Sequence, residues 1–572
     1  MITLRRLARA NQPLIPDHST SWITTYFLLE LRDSRGAAGR HYPITKFDYE
    51  KLGSKMKVKK FTTILALGLC ATAIAVPALG GDGKSIFELG TAEKPQTSKD
   101  FKGAPSKIDT NFGTLQFQGG AYPTKATVDK VYEELDRQRA TQLYLDLFPA
   151  LSVHSILKGQ VRDLGVRSSS DILVTPEKMN STPLWLTGNT DSIYAWMTLD
   201  LKADGPTVME IPPNVMGPLD DANFRFVVDF GATGPDKGKG GKYLILPPDY
   251  EGDVPDGYFV ARSPTYLNWA LLRANTDIVG KGQKAFDYYK NNLKIYPLKT
   301  GPREGRYIDA GHMPTNTLVP EDWRAFKWLH EIVSYEPADV FDIETRGRLA
   351  SIGIEKGKPF NPDDRMRGIL DEAARQAVAM ARVITFASRD PGAQLYPGTN
   401  LSWETPFIGG SSEFMKDGHR NLDARTLFHY NAIVITPAMA AKMPEGKGSK
   451  YTSTYLDSDD NYLDGSKTYK MIVPPNVPVR EFWSVTVYDP ITRSQLQTSQ
   501  PFPSISSQNN PPENADGSVD IYFAPKKPKG VDDGNWIQTV PGKGFFPFYR
   551  IYGPLKAFTD KTWKPNQIEL IK

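Results

Sequence analysis

Two sets of side chains in this chain have the types and spacing to recognise a polar ligand. Tyr488, Asp489, Arg493, Gln500, Trp536, Lys543 and Arg550 fall near strand ends or loops of the C-terminal third. Aromatic faces beside Arg, Gln and Asp can stack on a ring and hydrogen-bond its substituents bidentately, which is how a sugar or another polar ring is held. The opposing reading pairs Arg with Asp across a sheet and lets Tyr and Trp fill its edges. Upstream, Asn189, Asp191 and Tyr194 follow Gly188 at the entrance to a strand. They could converge on the same kind of ligand, or Asn and Asp could simply close a turn through side-chain-to-backbone bonds. Arg225, Arg262 and Arg273 carry the same ambiguity between ligand contact and structural pairing.

Other motifs are weaker. Gly231–Tyr243 (GATGPDKGKGGKY) has the glycine content of a phosphate loop but lacks a Gly-Lys-Ser/Thr opening a helix, so it reads as a connection between strands. Asp457-Ser458-Asp459-Asp460-Asn461 resembles the start of a calcium loop, yet Tyr462 and Thr468 stand where Gly and Glu are needed. A turn is expected there. Ser155-Ile156-Leu157-Lys158 and Lys299-Thr300-Gly301 match two serine-acylase motifs, but the Ser-Asp-Asn between them is missing and Pro302 follows at once. The histidines lack metal-ligand spacing, and His429, inside Leu-Phe-His-Tyr, reads as a core residue. No metal and no cofactor is expected, and no catalytic residue is assigned.

These side chains must be placed by a chain of 572 residues with one cysteine and a formal charge of +4. Met56–Gly80 (MKVKKFTTILALGLCATAIAVPALG) has a basic head, an apolar run and a small-x-small end. That pattern predicts a signal peptide cleaved after Gly80 and a periplasmic or secreted product. Residues 1–55 are then expected to be upstream sequence translated ahead of the true start at Met56. Residues 1–80 hold 12 Lys+Arg and 5 Asp+Glu, so the rest of the chain has 57 basic and 60 acidic residues and a charge of −3. The basic balance that would favour nucleic acid leaves with the signal. So does Cys70, which excludes disulfides and thiol catalysis from the mature chain. No later apolar run is long enough to span a membrane.

The mature chain alternates between two patterns. Residues 81–120 are polar and Gly-rich and predict an extended arm. Ala126–Gly165 has helical spacing, with a break or kink expected at Pro149. Strand signals follow at Ile193–Leu201, Val208–Ile211, Phe224–Phe230, Tyr243–Leu246 and Tyr258–Arg262. In the first of these, Ile193, Ala195, Met197, Leu199 and Leu201 share one face and Tyr194, Trp196, Thr198 and Asp200 the other. Pro320 to about Asp390 is helical, with a start signal at Asn361-Pro362-Asp363-Asp364 and an apolar stripe of Met366, Ile369, Leu370, Ala373, Ala374 and Ala377. Strand signals then return for the rest of the chain, at Thr468–Val473, Phe482–Tyr488, Val519–Phe523 and Phe546–Tyr552.

Several of these segments together resemble a known family. NTDSIYAWMTLDL, FRFVVDFGATGPDKGKGGKYLILPPDY and GYFVARSPTYLNW are similar to the first domain of bacterial exported proteins, domain of unknown function 1254. YLDGSKTYKMIVPP, FWSVTVYDPITRSQLQTSQPFPSISS, NADGSVDIYFAP, NWIQTVPGKGFF and YRIYGPL are similar to their second domain, domain of unknown function 1214. The resemblance spans roughly 125–565 and implies a β-sandwich, a small helical module and a jelly-roll-like domain. It implies no catalytic residues.

The expectation is therefore a mainly β fold with a helical module (α+β). Its parts are an upstream segment (1–55), a signal peptide (56–80), an arm (81–120), a β-sandwich domain (121–315), a helical module (316–395) and a jelly-roll-like domain (396–572). Three functions remain open. The first is binding of a polar ligand such as a glycan by Asn189, Asp191, Tyr194, Arg225, Tyr488, Asp489, Arg493, Trp536 and Arg550. The second is a cysteine-independent hydrolase or lyase using carboxylate, Arg and Tyr. The third is a structural protein whose partner is a further copy of itself.

Overall fold

Alternation along Tyr194–Asp200 organises the first half of the protein. In the computed structural model, which describes residues 97–103, 105–441 and 445–571, Ala195, Met197 and Leu199 bury on one side of this strand and Trp196 on the other. The strand lies third in a six-stranded sheet ordered Tyr307–Asp309, Ile172–Thr175, Tyr194–Asp200, Leu267–Ala274, Val215–Asp221, Phe226–Phe230. All neighbours are antiparallel except the first pair. A four-stranded sheet runs Phe259–Arg262, Gly241–Leu246, Thr207–Ile211, Lys294–Pro297. Met209, Ile211, Tyr243, Ile245 and Ile295 from it join Ala195, Met197, Leu199, Ala270 and Leu272 in one core, closed by Ala285 and Tyr289 of the helix Gln283–Asn292.

Helical spacing gives Lys125–Asp146 and Phe148–Leu164. The break expected at Pro149 falls at Leu147, because proline is tolerated in a helix's first turn and therefore starts the second helix. Arg324–Tyr335, Ile343–Ser351 and Asp364–Phe386 follow. Asp363, not Asn361, caps the last of these, its carboxylate accepting from Met366 N. Leu370, Ala373, Ala374 and Ala377 pack with Leu143, Phe148, Phe326 and Leu329 into a helical core.

The C-terminal part contains two further four-stranded sheets. One runs Ser449–Ser453, Phe546–Pro554, Val479–Tyr488, Ser504–Ser506, and the other Trp536–Gln538, Val519–Ala524, Tyr469–Val473, Glu569–Leu570. Val485, Val487, Tyr549 and Ile551 of the first meet Met471, Val473, Ile521 and Phe523 of the second in a shared core.

The protein is thus mixed α+β and rich in strands. Two expectations need adjustment. Residues expected to form an extended arm include two short strands, Lys107–Thr110 and Gly113–Gln118, which pair with each other, and a third, Tyr122–Pro123, follows just beyond. Before the strands resume, Leu422–Asn431 is helical, capped by Asn421. The proposed upstream segment and signal lie outside the described residues. Among the described residues, no helix is long and apolar enough to cross a membrane.

Candidate functional site

The six-stranded sheet has a second face. Tyr194 pairs with Arg273, and Arg273 with Met216, in adjacent strands, so the three side chains share a row on the face away from the sheet-to-sheet core. Trp196, Leu271, Pro218 and Asp229 lie on the same face. The opposing wall is the outer face of the sheet containing Phe546–Pro554. There Tyr451 pairs with Arg550 and Arg550 with Ser484, while Ser449 pairs with Tyr552. A cavity of about 190 Å³ lies between these faces, lined by Tyr194, Trp196, Arg273, Asp229, Tyr451 and Arg550 among others. Trp185, Phe428, Val434 and Met439 close its sides.

The strand-entrance turn stitches the two faces together. Asn189 Oδ1 accepts from Asp191 N at 2.6 Å, the expected turn bond. The same side chain also reaches outward: Nδ2 donates to Tyr194 Oη at 3.1 Å and to Tyr552 Oη. Asp191 receives Ser504 Oγ at 3.3 Å and Thr486 Oγ1 at 3.5 Å. Tyr488 donates to the Gly188 carbonyl at 2.8 Å, and Arg550 Nη2 to the Thr187 carbonyl at 2.9 Å. Thr187 holds φ 41° and Val434 φ 59°, a region that β-branched residues rarely occupy. Both lie on the cavity wall.

The cavity has a cationic end. Arg273 donates to Ser449 Oγ at 3.1 Å across the two faces and lies 5.3 Å from the centre of the Tyr552 ring. Arg550 is 3 % exposed and is surrounded by the rings of Tyr451, Tyr488 and Phe548 at 5.3–5.4 Å. Its Nη1 has no hydrogen-bond partner. Burial is the largest influence on Arg550 and opposes its charge; the neutral phenols around it offer oxygen dipoles but no counter-ion, and a guanidinium stays protonated in such a site. Burial also pushes the Tyr194 and Tyr488 phenols up to about 12, so they are neutral near pH 7. Asp229 lies on the same wall; burial raises its carboxyl to about 6 against the opposing Thr233 hydroxyl.

Of the nine residues singled out from the sequence, Asn189, Tyr194 and Arg550 line this cavity, and Asp191 and Tyr488 brace it from behind. The other four lie elsewhere. Arg493 is buried over the Tyr430 ring at 4.1 Å and donates to the Tyr430 carbonyl. Asp489 pairs with Lys543 at 2.9 Å and accepts from Ile491 N. Trp536 donates Nε1 to the Ala524 carbonyl, and Arg225 pairs with Asp221 at 2.6 Å. Tyr451, Tyr552 and Asp229 were not singled out. Strand alternation from Arg550 was the available signal for Tyr552; Tyr451 and Asp229 gave none, since their importance depends on which strand becomes their neighbour.

His429 is buried and stacked on Phe224 at 5.7 Å, and burial pushes its pKa well down. Asp457 closes a turn by accepting from Asp459 N and Asn461 N. Among the described residues, no group of three or more His, Cys, Asp or Glu side chains could hold a metal ion.

Residues 171–297 match the family profile described as protein of unknown function, DUF1254, and residues 448–556 the one described as protein of unknown function, DUF1214. No curated protein matches the chain. Two solved structures are similar to it. The VPA0106 protein of Vibrio parahaemolyticus is 20 % identical with a TM-score of 0.45, over 76 % of this chain and all of that one. A putative uncharacterized protein of Burkholderia cenocepacia is 12 % identical with a TM-score of 0.35, over 78 % of this chain and 97 % of that one. Both matches are to the two families that the sequence segments resemble, in the same order along the chain.

Proposed function

We propose that the protein binds a small organic anion with an apolar body in the cavity between the two sheet faces. One observation carries this reading: Arg550 is buried, is charged as arginine always is, makes no ion pair among the described residues, and leaves Nη1 unpartnered on the cavity wall. A buried cation without a counter-ion costs several kcal/mol, which an incoming carboxylate offsets through charge-assisted hydrogen bonds. Arg273 supports the same end, and Trp185, Trp196, Val434 and Met439 offer the apolar surface that gives a small ligand most of its affinity.

This reading specifies the polar ligand expected from the sequence as an acid. Calorimetric titration of the full chain with hexanoate, hexylamine and a neutral disaccharide tests it. Hexanoate alone should bind, and Arg550→Met should abolish that binding. Binding of the disaccharide but not of the acid would replace this reading with the glycan one.

The same proposal takes the paired sheets within 121–315 as a β-sandwich domain, 316–395 as a helical module and 396–572 as a jelly-roll-like domain. It also takes the protein as exported, with cleavage after Gly80. N-terminal sequencing of the exported protein should begin at Gly81.

A further inference from the structure

The end of the cavity floor opposite Arg273 is acidic. Asp229 lines the wall, is 8 % exposed, and has no basic partner among the described residues. It pairs with Pro218 of the neighbouring strand, two residues along from Met216, which itself pairs with Arg273. At about 3.3 Å per residue along a strand and about 4.8 Å between strands, the backbones of Arg273 and Asp229 stand roughly 12 Å apart. Two residues beyond Pro218, Asp220 is fully buried and neither carboxylate oxygen has a side-chain partner. Its face is set by pairing with Trp269, whose ring belongs to the core that includes Trp185 and Trp196. The floor between the charged ends is apolar, formed by Trp196, Leu271 and Pro218.

We infer that the site takes a bipolar ligand, its anionic group held by Arg273 and Arg550 and an ammonium group at the other end of an apolar spacer held by Asp229. The inference rests on the anion-binding reading above and adds a second recognition point. An alkylammonium reaching Asp229 gains a charge-assisted hydrogen bond in a largely apolar pocket and gives a buried acid the basic partner it lacks. A simple acid of the same length would leave Asp229 unpaired and bring a second negative charge into its cavity. The Asp220 carboxyl beside it adds negative potential when ionised, and burial with the neighbouring acids Asp221 and Asp229 keeps that carboxyl well above the ordinary range.

The test is calorimetric titration of the full chain at pH 8, where Asp229 is ionised. The probes are the straight-chain acids from butanoate to octanoate and the ω-amino acids of the same lengths. At one or two adjacent lengths the amino acid should bind at least tenfold more tightly than the plain acid. In Asp229→Asn that ratio should collapse to within twofold, and Asp229→Ser should do the same if the amide variant folds poorly. Plain acids that bind with no amino acid preferred at any length would overturn this inference while leaving the anion site intact. Persistence of the preference in both Asp229 variants would also overturn it, and failure of every acid to bind would remove both readings.

Discussion

Asn189 joins its Nδ2 to the hydroxyls of Tyr194 and Tyr552, so one amide bridges a strand of the first pair of sheets to a strand 363 residues away. The bridge sits beside the cavity and holds its two faces at a fixed separation. A turn residue thereby becomes a spacer.

Asn189→Ala removes both of these bonds and the turn bond to Asp191 N, leaving buried groups without partners. Losing a buried hydrogen-bond partner costs about 1–3 kcal/mol, and the expected loss in urea unfolding is about 2 kcal/mol. Asn189→Asp keeps the turn acceptor, so it should recover only part of that loss. An alanine variant as stable as the parent would refute the spacer role.

Arg550→Met tests the cationic end. The substitution gives up the bond to the Thr187 carbonyl, worth about 1 kcal/mol, and at the same time removes a buried charge that has no ion-pair partner. The two effects oppose, so the unfolding midpoint should move little while binding of short-chain acids is lost. A variant that unfolds in mild denaturant would mark Arg550 as structural.

Arg493→Ala should behave in the opposite way. Its guanidinium packs on Tyr430 and donates to the Tyr430 and Ile491 carbonyls, outside the cavity lining. Truncation should cost roughly 3 kcal/mol through lost packing and stranded carbonyls. Among molecules that remain folded, acid affinity should stay within a few-fold of the parent.

Glu404 predicts a pH dependence. Its Oε2 is buried without a partner, and burial pushes the carboxyl from 4.5 to about 7. The folded chain holds a proton there that the unfolded chain releases at lower pH. Stability from this group is therefore complete below about pH 4.5 and is lost as pH rises towards 7. Glu336, raised to about 7, and Asp229, raised to about 6, act in the same direction. Glu404→Gln should flatten part of the slope, matching the parent near pH 4.5 and exceeding it by about 1–3 kcal/mol at pH 8. Parallel stability curves for the two proteins would contradict the assignment.

Much of the first half of the fold was legible because apolar alternation in Tyr194–Asp200 survives in the finished sheet: the inward residues expected there are the ones that pack against the second sheet. The helix stripe around Leu370 and Ala374 was equally plain. The cavity was harder to read, since its floor uses the face of the strand usually given to solvent. Trp196 is covered because Trp185 stacks on it, and Arg273 because a distant sheet presents Tyr552 and Ser449 to it, and pairing at that sequence distance leaves no local pattern. Arg493 and Asp489 misled for the same reason in reverse. Their residue types suit ligand contact, and their actual partners, Tyr430 and Lys543, lie in separate segments.

The facing sheets also have a genetic consequence. Arg273 and Arg550 are encoded far apart, yet both line the one cavity. A recombination breakpoint anywhere between their codons would send the two cations into different products. Under the proposed binding role, the two segments would have to be inherited together for the pocket to stay whole.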